Sequence, residues 1–181
     1  MPLPVAHSIA GYILQDTRKF SFLAKEWNNL LFLVLVSNIP DIDFLPGLLI
    51  GAPNLFHHGI SHSLGFSLFF GFLISFFVPH NNKSKYFTNA LLLSLVCYSH
   101  VILDYFTTDE RPPYGVMLFW PFDSTYYIAA QTIFIKALRS ESSFDFFQSL
   151  VNENNFRAIV REILIMGIFV ALTKFAKKLF K

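Results

Sequence analysis

The chain has 181 residues, of which 54% are hydrophobic and 14% charged, with 23 phenylalanines, a formal net charge of +2 and a mean hydropathy of +0.48. Soluble domains carry about a quarter charged residues, so the apolar excess needs lipid and predicts one polytopic membrane domain over 1–181. So small a net charge gives no footing for nucleic acid as a partner, and a single cysteine, Cys97, excludes an internal disulfide.

The first residues lack the basic region of a cleaved signal peptide. They lead into a short apolar segment over 5–15, interrupted by His7 and Gly11, and then a polar stretch over 16–26. A second apolar segment, 29–36, nearly spans when extended from Trp27 to Ile39. It stops at Pro40, whose ring disfavours helix for the residue before it. Residues 44–52 are apolar but broken by Pro46, Gly47 and Gly51, which predicts a re-entrant or interfacial hairpin. A clean apolar run over 63–78 opens on Ser63, suited to cap a helix. It ends at Pro79 and the turn HNNKSK, where His80 reads as solvated.

Residues 86–106 predict a spanning helix, 107–114 a Pro-rich loop and 117–122 (MLFWPF) an interfacial aromatic stretch. Residues 125–137 read as a weak helix, 140–155 as a connector and 158–175 as the last apolar helix, ahead of the basic tail KKLFK. The predicted fold is therefore all-α: a membrane-embedded helical bundle with a ligand-bearing part over 1–125 and a C-terminal connector and helix over 126–181. Gly59 and Gly65 read as allowing a tight turn and close helix approach. Trp120, Tyr126 and Tyr127 read as an interfacial belt.

If the chain weaves up and down, His7 opens the first helix, Asp41 and Asp43 close the second, His58 and His62 open the third, and His100 and Asp104 close the fourth. All then fall at one membrane face. Carboxylates and imidazoles are costly to desolvate, so their clustering in so apolar a chain predicts a metal site there. His58 and His62 are four apart, as are His100 and Asp104, so each pair shares a face on a helix or its N-terminal turn. His57 would point about a hundred degrees away from His58 on a helix. Mixed His and Asp donors suit zinc, manganese or iron. Seven candidates exceed the four positions of one zinc, so two or more ions bind, or some residues orient the imidazoles. Asp109, Glu110 and Asp123 read as solvated, with one of them available as a base.

AHSIAG, SNIPDID, HHGISHS and SHVILDYFT, in that order, resemble the motif series of the YdjM-type family of LexA-regulated, inner-membrane-associated metal-dependent hydrolases. The resemblance covers roughly the first 125 residues, including PYGVMLFWPF. It implies a multi-pass protein of the bacterial inner (cytoplasmic) membrane, with His7, Asp41, Asp43, His58, His62, His100 and Asp104 as metal ligands by motif position. Within HHGISHS, His57 and His58 are interchangeable as the first ligand. The His100–Asp104 pair also resembles one in zinc-dependent phospholipase C, an all-helical trinuclear enzyme, but the later His-x3-Glu pair of that enzyme is lacking here.

The expected activity is hydrolysis of an ester or phosphoester of a lipid-like substrate, by water activated on a divalent metal, most simply zinc in a two-ion site, with Asp43 taking the proton. The competing class is a metal-ion transporter or metal sensor. A transport path needs polar residues at several depths, whereas here they gather at one end. Arg18, Lys19, Lys25, Lys83 and Lys85 lie at the end opposite the ligands, against Arg111 alone between the early helices at the ligand end, while Arg157 and Arg161 pull the start of the last helix the same way as its basic tail. That asymmetry puts the site on the extracytoplasmic face, provided that 125–137 returns only partway or lies in the interface.

Overall fold

The computed structural model of the chain describes residues 1–18, 25–79 and 82–179. Lys19, His80 and the last two residues of the basic tail lie outside the described residues, and with them the reading of His80 as a solvated turn residue. Seven α-helices run through the described part: α1 Pro4–Arg18, α2 Glu26–Ser37, α3 Phe44–Leu49, α4 Leu64–Phe77, α5 Lys83–Tyr105, α6 Phe146–Ser149 and α7 Glu153–Leu179. Among the described residues there is no β-sheet, only two isolated bridges.

Local chemistry fixes the ends of these helices. The Ser63 hydroxyl accepts the Phe66 N–H to start α4, and the Asn82 side chain accepts the Lys85 N–H to start α5. After α2 the chain turns through a 3-10 segment, Ile39–Asp43, with Pro40 near its start. The bend between α2 and this turn with α3 is 54°. The predicted hairpin over 44–52 is thus a short helix set at an angle to α2.

The long helices alternate in direction. Asn38, just past α2, donates to the Ser8 hydroxyl near the start of α1. Ser75 near the end of α4 donates to the Tyr86 carbonyl near the start of α5. α7 runs beside α1 in the same direction, since Glu162 meets Leu3 and Ala6 while Lys177 pairs with Asp16. α4 and α5 lie very close at Gly71, where a Cβ would stand 2.2 Å from Ser94 Oγ and 2.7 Å from the Ala90 carbonyl. Gly65 brings α4 equally near the Trp120–Pro121 turn, as its reading for close approach requires.

Leu33, Val36, Val78, Leu93, Val96 and Cys97 form the apolar centre of the α2, α4 and α5 packing. Outward, α4, α5 and α7 expose Phe69, Phe76, Leu91, Leu95, Ile168 and Phe175. Among the described residues one helix, α5, is long and apolar enough to cross a membrane, and α2 with its bent continuation forms a second candidate. α4, at 14 residues, is apolar but shorter.

Residues 125–137 form no helix, contrary to expectation. Their backbone groups are taken up by other segments: Tyr127 and Val116 exchange both hydrogen bonds, Ala129 and Ile133 donate to the carbonyls of Tyr105 and Phe106, and the Phe134 carbonyl accepts from Thr108. A run rich in Tyr, Ile, Thr and Phe suits extended chain, and here it lies along the C-terminal end of α5. The connector 140–155 contains α6, and the last helix begins five residues before the expected Ala158.

Candidate metal centre

Four segments deliver the candidate donors to one place. The first turn of α1 carries His7. The 3-10 segment that follows Pro40 carries Asp41 and Asp43. The last turns of α5 present His100 and Asp104, four apart on one helix face. His57, His58 and His62 come from a series of turns before Ser63, closed by Gly59 N–H to the Phe56 carbonyl and His62 N–H to the Gly59 carbonyl. This corrects the helical reading of the His58–His62 spacing. The backbone at His58 has φ +66°, a left-handed conformation that no helix contains. The same geometry brings in His57, expected to point about a hundred degrees away on a helix, with its ring centroid 4.1 Å from that of His58.

At the centre, Asp104 Oδ2 lies 3.2 Å from both His62 Nε2 and His100 Nε2, and Oδ1 lies 3.7 Å from His7 Nε2. Asp41 Oδ1 lies 3.6 Å from His62 Nε2 and 3.5 Å from His100 Nε2. His7 stacks on His100 with centroids 3.5 Å apart. Asp43 is the other focus, with Oδ1 3.1 Å from His57 Nδ1 and Oδ2 3.1 Å from His62 Nδ1. His7, His62 and His100 are fully buried and Asp104 nearly so.

The hydrogen-bond pattern shows how these groups are aimed. His100 Nδ1 is 2.9 Å from the Ser37 carbonyl, which can only accept, so Nδ1 carries the hydrogen. Asp43 occupies Nδ1 of His57 and of His62, and Asp109 Oδ2 lies 3.4 Å from His58 Nδ1. The Ser61 hydroxyl donates to Asp43 Oδ2 at 2.7 Å. In all four histidines Nε2 is then buried with no hydrogen-bond partner, as are both nitrogens of His7, Asp41 Oδ1 and both oxygens of Asp104. Each such orphan costs about 1–3 kcal/mol in an interior, so a mutually facing set of them needs a common partner. Imidazoles held at Nδ1 by a carboxylate or carbonyl, with Nε2 directed inward, are the arrangement that metal ligation uses. The residues present fit a metal ion, and the buried His and Asp groups can hold one. Three-donor sets with mutual distances within 4.8 Å include His62, His100, Asp104; His7, Asp41, His100; His57, His58, His62; and Asp41, Asp43, His57.

Burial lowers the pKa of His58 to about 4, and burial together with neighbouring His58 lowers that of His57 as well. Both rings are therefore neutral near pH 7. Asp109, expected to be solvated, instead faces His58. Burial would raise its carboxyl, but His58 and the amides of Gly115 and Arg111 outweigh it and hold it below the usual carboxylate range. Glu110 is exposed and paired with Lys136, and Asp123 accepts from the Thr125 N–H and the Tyr127 hydroxyl.

Beside the donors lies a cavity of about 70 Å³, lined by His57, His58, Asp109, Asn54, Arg111, Lys136 and Arg139 among others. Sequence reasoning passed over Ser37, Ser61, Arg139 and Glu162. The first two are ordinary residues whose roles depend on tertiary contact. Glu162 carries a usable signal, an acid in the middle of an apolar helix. Its buried carboxylate accepts the N–H groups of Leu3 at 2.6 Å and Ala6 at 3.0 Å, capping α1 just ahead of His7.

Among known proteins, the family model described as YdjM inner membrane protein matches residues 3–180. No curated protein and no solved structure matches the chain.

Proposed function

We propose that this chain, which belongs to the YdjM inner membrane protein family, is a multi-pass metal-dependent hydrolase acting on an ester or phosphoester of a lipid-like substrate. The observation that carries this reading is the shared inward aim of buried donors without hydrogen-bond partners, drawn from His7, Asp41, His57, His58, His62, His100 and Asp104. The donor sets overlap through shared residues, which supports two ion positions. Zinc, manganese and iron all suit mixed His and Asp donors.

A divalent ion bound there supplies Lewis acidity and brings the pKa of a coordinated water toward neutrality. The chain's own residues do the rest. Ser37 fixes the tautomer of His100 through Nδ1, and Asp43 does the same for His57 and His62. Asp43 is also assigned as the proton acceptor, on its place among the donors, its carboxylate held in position by Ser61, His57 and His62. Asp109, on the cavity wall, is a second carboxylate within reach of the open space.

The alternating helices and the apolar side chains exposed on α4, α5 and α7 support a multi-pass arrangement. The extended run 125–137 stays at the ligand end, as a site on the extracytoplasmic face requires. A transport path finds less support. Beyond the site, the α2, α4 and α5 packing closes on Leu33, Leu93, Val96 and Cys97, and the buried hydroxyls of Ser67, Ser75 and Ser94 all donate to backbone carbonyls.

The test is elemental analysis of the detergent-purified protein alongside hydrolysis of micellar ester and phosphoester substrates. Wild type should hold at least one zinc, manganese or iron per chain and turn over one substrate class, and His62→Ala and Asp104→Ala should lose both. Metal bound in wild type with no turnover on either class would sink the hydrolase reading.

A further inference from the structure

We propose that the cavity beside the metal centre is a phosphate subsite headed by Arg139, so that the substrate carries a phosphate group. This rests on the hydrolase reading above. Three cationic side chains line the cavity, but two are already matched: Arg111 pairs with Glu141 at 2.7 Å and Lys136 pairs with Glu110. Arg139 has no carboxylate within ion-pairing distance among the described residues. It is nonetheless fixed in place. Its Nε donates to Asn54 Oδ1 at 2.6 Å, and its guanidinium lies over the Phe44 ring, 4.8 Å from the centroid.

That same Phe44 ring stacks on His57 at 4.1 Å. The uncompensated guanidinium is thus one aromatic ring away from a candidate metal donor and opens onto the same cavity as His57 and His58. With Nε spent on Asn54, the two terminal nitrogens remain to meet an anion, and a guanidinium presents them as a pair matched to two phosphate oxygens. Asp109 sits on the opposite account, but its oxygens accept from the Arg111 and Gly115 amides. The Asn54 amide group donates to the Ser140 carbonyl and to Glu141, which orients its oxygen toward Arg139.

Phosphate can arrive on a lipid headgroup or free, and the two sources are separable. Metal-free protein in neutral detergent is titrated calorimetrically with inorganic phosphate and, in a second arm, with phosphatidic acid in mixed micelles. Wild type should bind phosphate in at least one arm. Phosphatidic acid binding far more tightly than the inorganic ion identifies a lipid headgroup, and equal binding identifies a free phosphate compound. Arg139→Gln should weaken binding about tenfold or more, the loss expected for hydrogen bonds to a charged group. Asn54→Asp sets a carboxylate against the guanidinium and should weaken binding similarly while keeping Arg139 partnered, which covers a failure of Arg139→Gln to fold. Arg157→Gln, at the exposed Glu153 pair, should leave it unchanged. Wild type that binds no phosphate in either arm, or Asn54→Asp that binds like wild type, overturns the proposal. Because the titration needs no metal, a protein that binds phosphate but holds no metal would overturn only the hydrolase reading.

Discussion

Glu162 supplies no donor to the candidate metal centre, yet its removal should loosen that cluster measurably. In Glu162→Ala the Leu3 and Ala6 N–H groups lose their acceptor at the buried start of α1. Each stranded donor costs about 1–3 kcal/mol, so the pair amounts to about 3 kcal/mol after some relief by water. For a chain of this size 1 kcal/mol moves the melting temperature by about 2–4 °C, which gives a fall of about 6–12 °C. His7 lies one residue beyond Ala6 and stacks on His100, so α1 cannot shift without disturbing the donors. Zinc affinity should fall about 10–100-fold, as it does when groups that orient ligands are removed. Glu162→Gln keeps one carbonyl oxygen and should lose about half as much stability. The assays are thermal unfolding in detergent and competition against a zinc chelator. Glu162→Ala melting within 2 °C of wild type with unaltered zinc affinity would refute the capping argument.

Two glycines separate close packing from mere helix content. Gly71→Ala should lower stability by about 1–3 kcal/mol, because the new methyl meets Ser94 and the Ala90 carbonyl well inside van der Waals contact. Gly167→Ala, with nothing within 4 Å, should raise stability by up to about 1 kcal/mol, the difference in helix propensity. Both are read by thermal unfolding, and the same sign for both would be wrong. Removing metal with a chelator should lower stability by about 4 kcal/mol where the ion was present at a thousandfold its dissociation constant. The same treatment of Asp104→Ala should change nothing.

Much of the architecture was readable because apolar length and proline placement are local signals. The run over 63–78 with Ser63 at its head became α4, and α2 ended at Ser37, just ahead of Pro40. The gathering of His7, Asp41, His62 and Asp104 at one end follows from the weave of the helices and their positions in the sequence alone. The histidine turns were not readable. The i, i+4 spacing of His58 and His62 fits a helix, but the chain there follows tight turns with His58 at positive φ, set by tertiary contacts with Asp43 and Asp109. The same holds for 125–137, where apolar content suggested a helix and pairing with Tyr105, Phe106 and Val116 decided otherwise. Membrane crossing was over-read in one respect: among the described residues only α5 is a clear span by length and composition, with α2 and its bent continuation a second candidate.

The strand-like stretch laid along the end of α5 has a consequence for the order in which the protein matures. His7 and Asp104 face each other across nearly a hundred residues of chain, and the α5 end that carries Asp104 is tied down by Ala129 and Ile133. The α1 end that carries His7 is tied down later still, by Glu162. Contacts this distant in sequence close late in folding. During synthesis the donors nearest in sequence, His57 to Asp104, are all present well before the clamps on either side of them exist. A complete set of converging donors therefore waits for the last helix, whose Glu162 fixes the start of α1.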